Sequence, residues 1–113
     1  MKELFFNCQK LEKNNLLSFV TDNVTNMRLI FGRCYSLKEI NLASFHTQNV
    51  KDMFQIFARC VSLKEIDLSS FKINENTNIF EMFMGIRMPC NLKCKDDRII
   101  EEFNDRRLKC NFI

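Results

Sequence analysis

Six cysteines and a single histidine are the side chains of this sequence best suited to metal binding or nucleophilic chemistry. Cys8, Cys34 and Cys60 recur at a constant spacing of 26 residues, whereas Cys90, Cys94 and Cys110 form a C-x3-C pair with a distant third thiol. The first set would suit a metal or redox series, the second a thiolate zinc site. Structural zinc takes four ligands from paired motifs, and the second set has no fourth, since His46 lies far away in the chain. His46 also has no neighbouring Cys or Ser to activate, and nucleophilic catalysis needs a base held by an orienting partner. It reads as a solvated loop residue. Gly32 and Gly85 are the only glycines, so no glycine loop is available to cradle a phosphate, and G-x-x-x-x-G-K-[ST], G-x-G-x-x-G and H-E-x-x-H are all absent. The expectation is a non-enzyme with no cofactor and no metal site.

The spacing of the first three cysteines belongs to a longer pattern. Displacing the sequence by 26 residues aligns Met27–Phe45 with Met53–Phe71, and 13 of those 19 positions are identical. A further shift back brings Met1, Phe5, Cys8, Leu11 and Leu16 into phase. A shift forward recovers Ile79, Met82 and Phe83 before the pattern decays. Internal repeats of this length are the signature of stacked supersecondary units, because one unit cannot bury its own apolar face. Cys8, Cys34 and Cys60 then read as buried free thiols acting as small hydrophobes.

Each unit carries two periodicities. Val50, Met53, Ile56, Phe57 and Cys60 step by three and four residues, the spacing of one helix face, with Asn49 as N-cap and Asp52 near the positive helix end. Leu63-Lys-Glu-Ile66-Asp-Leu68 then has the L-x-x-L-x-L spacing of a leucine-rich repeat, with Ile66 and Leu68 alternating as a short strand does. Parallel strands pair at about 4.8 Å and helices pack at roughly 8–10 Å. A helical outer side would therefore bend the stack and place the strands on its concave side. The expected fold is an α/β solenoid: a short leucine-rich-repeat stack with parallel concave strands, helical convex segments and a C-terminal helical cap. Three to three-and-a-half repeats fill residues 1–86. Residues 87–113 hold a degenerate last repeat and the cap, in which Ile99, Ile100, Phe103 and Leu108 mark an amphipathic helix and Cys110–Ile113 a last short strand.

The run Asn-Val-Thr-Asn-Met27, then Phe31-Gly-Arg-Cys34-Tyr-Ser36-Leu37-Lys-Glu-Ile-Asn-Leu42-Ala-Ser44-Phe45, resembles the BspA-like leucine-rich repeat family. The copy from Asn49-Val-Lys-Asp-Met53 to Phe71 is closer still. The resemblance spans about residues 1–86. It implies an adhesion or protein-interaction role, often at a cell surface, and it implies no catalysis.

Composition narrows the partners. Lys and Arg exceed Asp and Glu by only 3, and the two signs alternate along the chain, so no nucleic-acid surface is indicated. No apolar run is long enough to span a bilayer, and the N-terminus has no secretory h-region, which points to a cytoplasmic location for the chain as written. With Phe, Met and Leu assigned to the core, function falls to the outward strand positions. Glu39, Asn41, Glu65, Asp67, Ser69 and Lys93 are the candidate residues for a protein partner, and the same positions are equally accounted for as a solvated face. Stacking Glu39 on Glu65 is mildly unfavourable, which favours a surface kept for binding. Alternatives are a truncated repeat array that associates end to end through its uncapped first unit, and an adhesion module without its export signal.

Overall fold

The computed structural model describes residues 2–8, 13–15, 20–87 and 89–110. Four short strands form, β1 (Lys13–Asn15), β2 (Glu39–Asn41), β3 (Glu65–Leu68) and β4 (Asn91–Cys94), and in β2 and β3 the buried Ile40 and Ile66 lie between outward neighbours. They lie in one parallel sheet in the order β1-β2-β3-β4. Every paired residue differs by 26 in number, as in Glu39↔Glu65↔Asn91 and Ile40↔Ile66↔Leu92. Register is thus set by unit length, and burial of Ile40 and Ile66 on one face prevents a one-residue slip.

The segments between strands are not helices. In residues 53–60 the amides divide into two alternating sets. Met53, Gln55, Phe57 and Arg59 donate to the carbonyls of Asn78, Phe80, Met82 and Met84 in the following unit, at 2.6–3.1 Å. Ile56, Ala58 and Cys60 donate three residues back, to Met53, Gln55 and Phe57, and Phe54 donates to Asp52 Oδ1 at 2.9 Å. All eight amides are satisfied. Residues 27–34 repeat the same scheme against Asp52, Phe54, Ile56 and Ala58, with Arg28 donating to Asn26 Oδ1. Such a chain of turns needs residues in the left-handed region, and Leu29, Arg33, Gln55, Arg59 and Glu81 occupy it with φ of 51–62°. Left-handed backbone costs an L-residue about 1–2 kcal/mol, which the amide bonds into the next unit offset.

These bonds correct the expected α/β solenoid with helical convex segments. The chain forms a compact body of 38 × 32 × 20 Å with a radius of gyration of 12.8 Å, close to the roughly 13 Å of a globular domain of about 100 residues. It has one parallel sheet and, among the described residues, a single helix, α1 (Asp97–Cys110). Both flanks of each unit pair through backbone hydrogen bonds, so the mismatch between helix and strand spacing that would have bent a stack does not arise. Asn49 is not an N-cap; its Nδ2 donates to the Asp22 carbonyl at 2.6 Å. Cys110 lies in α1, and residues 111–113, where a last strand was expected, are outside the described residues.

Between the two paired flanks lies the core. Phe5, Phe31, Phe57 and Phe83 stack at centroid distances of 5.4, 5.9 and 5.8 Å with nearly parallel rings. Phe103 of α1 meets Phe83 edge-on at 5.1 Å, and with Ile99 it covers that end of the column. Asp96 starts the helix: its Oδ1 accepts from the amides of Arg98 and Ile99, and its Oδ2 accepts from the Ile73 amide. Buried Thr21 and Thr47 each clasp the next unit, their hydroxyls both donating to and accepting from the backbone at His46 and Lys72. Gly32 lies close under the Phe6 ring, and a Cβ there would stand 2.9 Å from it, so the ring would have to shift.

Candidate functional site

The outward face of the sheet carries Glu39, Asn41, Glu65, Asp67, Asn91 and Lys93 around a shallow depression of about 290 Å³. The pleat puts them there: in β2 and β3 the buried Ile40 and Ile66 point to the core, and their neighbours point away. Parallel pairing at the unit spacing sets Glu39 beside Glu65, and Asn41, Asp67 and Lys93 in one row. Five of the six residues proposed from sequence line the depression, and the sixth, Ser69, lies just beyond β3. Lys13 and Asn15 of β1 are placed at the same register positions.

Two of these side chains are held by their own backbone. Asn41 Oδ1 accepts from the Ala43 amide at 2.9 Å, and Asp67 Oδ1 accepts from the Ser69 amide at 3.0 Å. Either Asn or Asp can make this turn, because only the Oδ1 acceptor is needed. Partial burial alone would push the Asp67 carboxyl up. The hydrogen bonds from Ser69, with the Lys93 ammonium in the same row, outweigh it and hold the group below the usual carboxylate range. The face thus combines fixed acceptors, three carboxylates and one ammonium, a set suited to recognising polar or basic groups. It contains no nucleophile paired with a base.

The thiols belong elsewhere. Cys34 and Cys60 are fully buried and free, and their Sγ–H groups donate to the carbonyls of Phe5 at 3.1 Å and Phe31 at 2.9 Å. The adjacent Cys34 thiol and burial both push Cys60 well above the ordinary thiol range, so it is a protonated core group. Cys90 is also buried; Cys94 is half-buried, and that burial raises its thiol as well. Among the described residues no group of three or more His, Cys, Asp or Glu is arranged to hold a metal ion. His46 is exposed, with its backbone tied to Thr21. No helix among them is long and apolar enough to cross a membrane.

A second feature escaped the sequence reading. Arg28, Phe54 and Phe80 occupy one phase on the outer side of the turn segments, with the Arg28 guanidinium 4.1 Å from the Phe54 centroid and Phe54 stacked on Phe80 at 6.0 Å. An Arg in phase with two Phe is the signal that would have found it.

A protein family described as "Mycoplasma protein of unknown function, DUF285" matches residues 1–93. No curated protein and no solved structure matches the chain.

Proposed function

Starting from the chain's membership of the family described as "Mycoplasma protein of unknown function, DUF285", we propose that it is a non-catalytic protein-interaction module that binds through the outward sheet face. The observation that carries this reading is the row structure of that face: Glu39 beside Glu65, and Asn41, Asp67 and Lys93 in register. Placing like charges on neighbouring strands costs stability, and the buried side of the same strands already supplies the core. The resemblance of residues 1–86 to BspA-like repeats, whose members are regarded as adhesion or interaction proteins, supports the same class of role. The partner would be a protein segment offering amide donors and basic side chains to the centre of the face.

The test compares wild type with a triple Glu39→Lys, Glu65→Lys, Asp67→Lys variant in affinity capture from a cell extract. The expected result is a protein retained by wild type and lost by the variant, with the variant still folded. Equal retention by both would remove the face from the account. A second reading, end-to-end association through the first unit, is favoured by one observation: Leu4 is 50% exposed at the end opposite α1. Light scattering separates the two, since that reading requires a mass that grows with concentration and falls in a Leu4→Lys variant.

A further inference from the structure

Two arginines stand side by side on the turn segments without an anionic partner. Arg33 and Arg59 share one phase in neighbouring units, and their amides donate to the carbonyls of Ala58 at 2.8 Å and Met84 at 2.6 Å. Backbones paired in this way run roughly 5 Å apart, so the two side chains are neighbours. Both residues are exposed. Among the described residues neither guanidinium donates a hydrogen bond or enters an ion pair, and that of Arg33 lies over the Phe6 ring at 5.6 Å. The two flank a cavity of about 190 Å³ whose apolar walls are Phe6, Leu29, Ala58 and Met84. No carboxylate lines it. Gln55, also on its wall, is turned to Glu81, its Nε2 donating to Glu81 Oε1 at 2.8 Å.

Stability does not account for arginine at this phase. The backbone there is left-handed, with φ 59° at Arg33 and 62° at Arg59. Asn7 and Gly85 hold the same phase in the flanking units, and Asn and Gly enter that region at least cost. Adjacent guanidiniums add like-charge repulsion. A bound anion would remove it, and the fork of each guanidinium matches phosphate oxygens. A carboxylate would leave one arginine uncompensated, whereas a phosphate monoester carries nearly two negative charges near neutral pH.

We propose that this cavity binds an aryl phosphate, the group that a phosphorylated tyrosine on a partner protein presents. The phosphate lies between Arg33 and Arg59, and the ring rests against Phe6, Leu29 and Met84. The site is separate from the outward sheet face and stands whether or not that face binds a partner.

The test is an amide-detected NMR titration of the intact chain with N-acetyl-phosphotyrosine amide at constant ionic strength. Inorganic phosphate, glycerol 3-phosphate and N-acetyl-tyrosine amide serve as comparison probes. Saturable shifts confined to residues 29–33, 55–59 and 84–85 are expected with the phosphotyrosine probe. The two phosphates that lack a ring should bind more weakly, and the unphosphorylated tyrosine probe should leave the spectrum unchanged. Arg59→Gly and Arg33→Asn install residue types that the chain already uses at this phase, so both variants should keep the dispersion of the core resonances. Each should weaken binding about three- to tenfold. An Arg59→Gly variant that melts no lower than wild type yet binds more weakly assigns Arg59 to binding and not to folding. The proposal is overturned if the phosphotyrosine probe gives no saturable shift, if unphosphorylated tyrosine binds equally, if either ringless phosphate binds as tightly, or if neither arginine variant loses affinity.

Discussion

On the strand side of this chain, neighbouring units meet through residues 39–41, 65–68 and 91–94, which alternate between core and solvent. On the turn side they meet through residues 27–34, 53–60 and 79–84, where buried Met, Ile and Phe are set by overlapping turns. Both sides spend backbone amides on the next unit, yet they differ in what their side chains are free to do. The turn side uses left-handed residues to turn inward twice within eight positions. The strand side needs only one inward residue in two, which leaves a full row per strand unconstrained by packing. Binding surfaces are therefore more readily varied on the strand side, and core defects are more costly on the turn side.

The largest expected effect lies on the turn side. Phe57 is stacked on Phe31 and Phe83 and fully buried, so Phe57→Ala should cost about 3–5 kcal/mol in a denaturant titration. A loss below about 1 kcal/mol would show that the column is not continuous. Next, Asp96 ties α1 to the segment that follows β3, by capping the helix and accepting from Ile73. Asp96→Ala should cost about 1–2 kcal/mol and raise amide exchange at both Ile73 and Ile99. If Ile99 alone responded, Asp96 would be only a helix cap.

Smaller changes sharpen the contrast. Arg59 holds φ 62° at the phase that Gly85 occupies with φ 81° in the next unit. Arg59→Gly relieves left-handed strain and pays backbone entropy, so it should stabilise by a few tenths to about 1 kcal/mol. A comparable loss would mean that the turn is not left-handed there. On the strand side, Asp67 has a folded pKa held below its ordinary value. It contributes stability that is full above about pH 4 and is lost as pH falls through the folded pKa. Asp67→Asn keeps the acceptor for Ser69 but removes the charge, so it should flatten that acid limb by lowering stability slightly near pH 7 and leaving it little changed in acid. An unchanged acid limb would assign the effect to other carboxylates.

Much of the interior was legible in the sequence, because apolar identity at a 26-residue spacing marks the positions that stack: Met27 and Met53, Ile30 and Ile56, Phe31 and Phe57. The outward set around Glu65 and Asp67 followed from alternation alone. The turn side was misread because its buried residues, 53, 56, 57 and 60, satisfy helical spacing as well as they satisfy a four-residue turn period. The distinguishing signal was present in the residues that are not buried. Asn7, Arg33, Arg59 and Gly85 share one phase, and Asn and Gly are the types that enter left-handed backbone most readily. Asn26, Asp52 and Asn78 share another, where only a side-chain acceptor is required. The cavity beside Arg33 and Arg59 was not legible, since it depends on the turn segments pairing through their backbones.

The pairing of the turn segments is tested most directly by the hydrogen-bond partner of one amide. Phe57 N–H donates to the Met82 carbonyl at 3.1 Å, whereas a helix over this segment would direct it to Met53, four residues back. A through-hydrogen-bond coupling between the Phe57 amide nitrogen and the Met82 carbonyl carbon is the predicted result. A coupling to the Met53 carbonyl carbon instead would contradict the account and restore a helix between the strands.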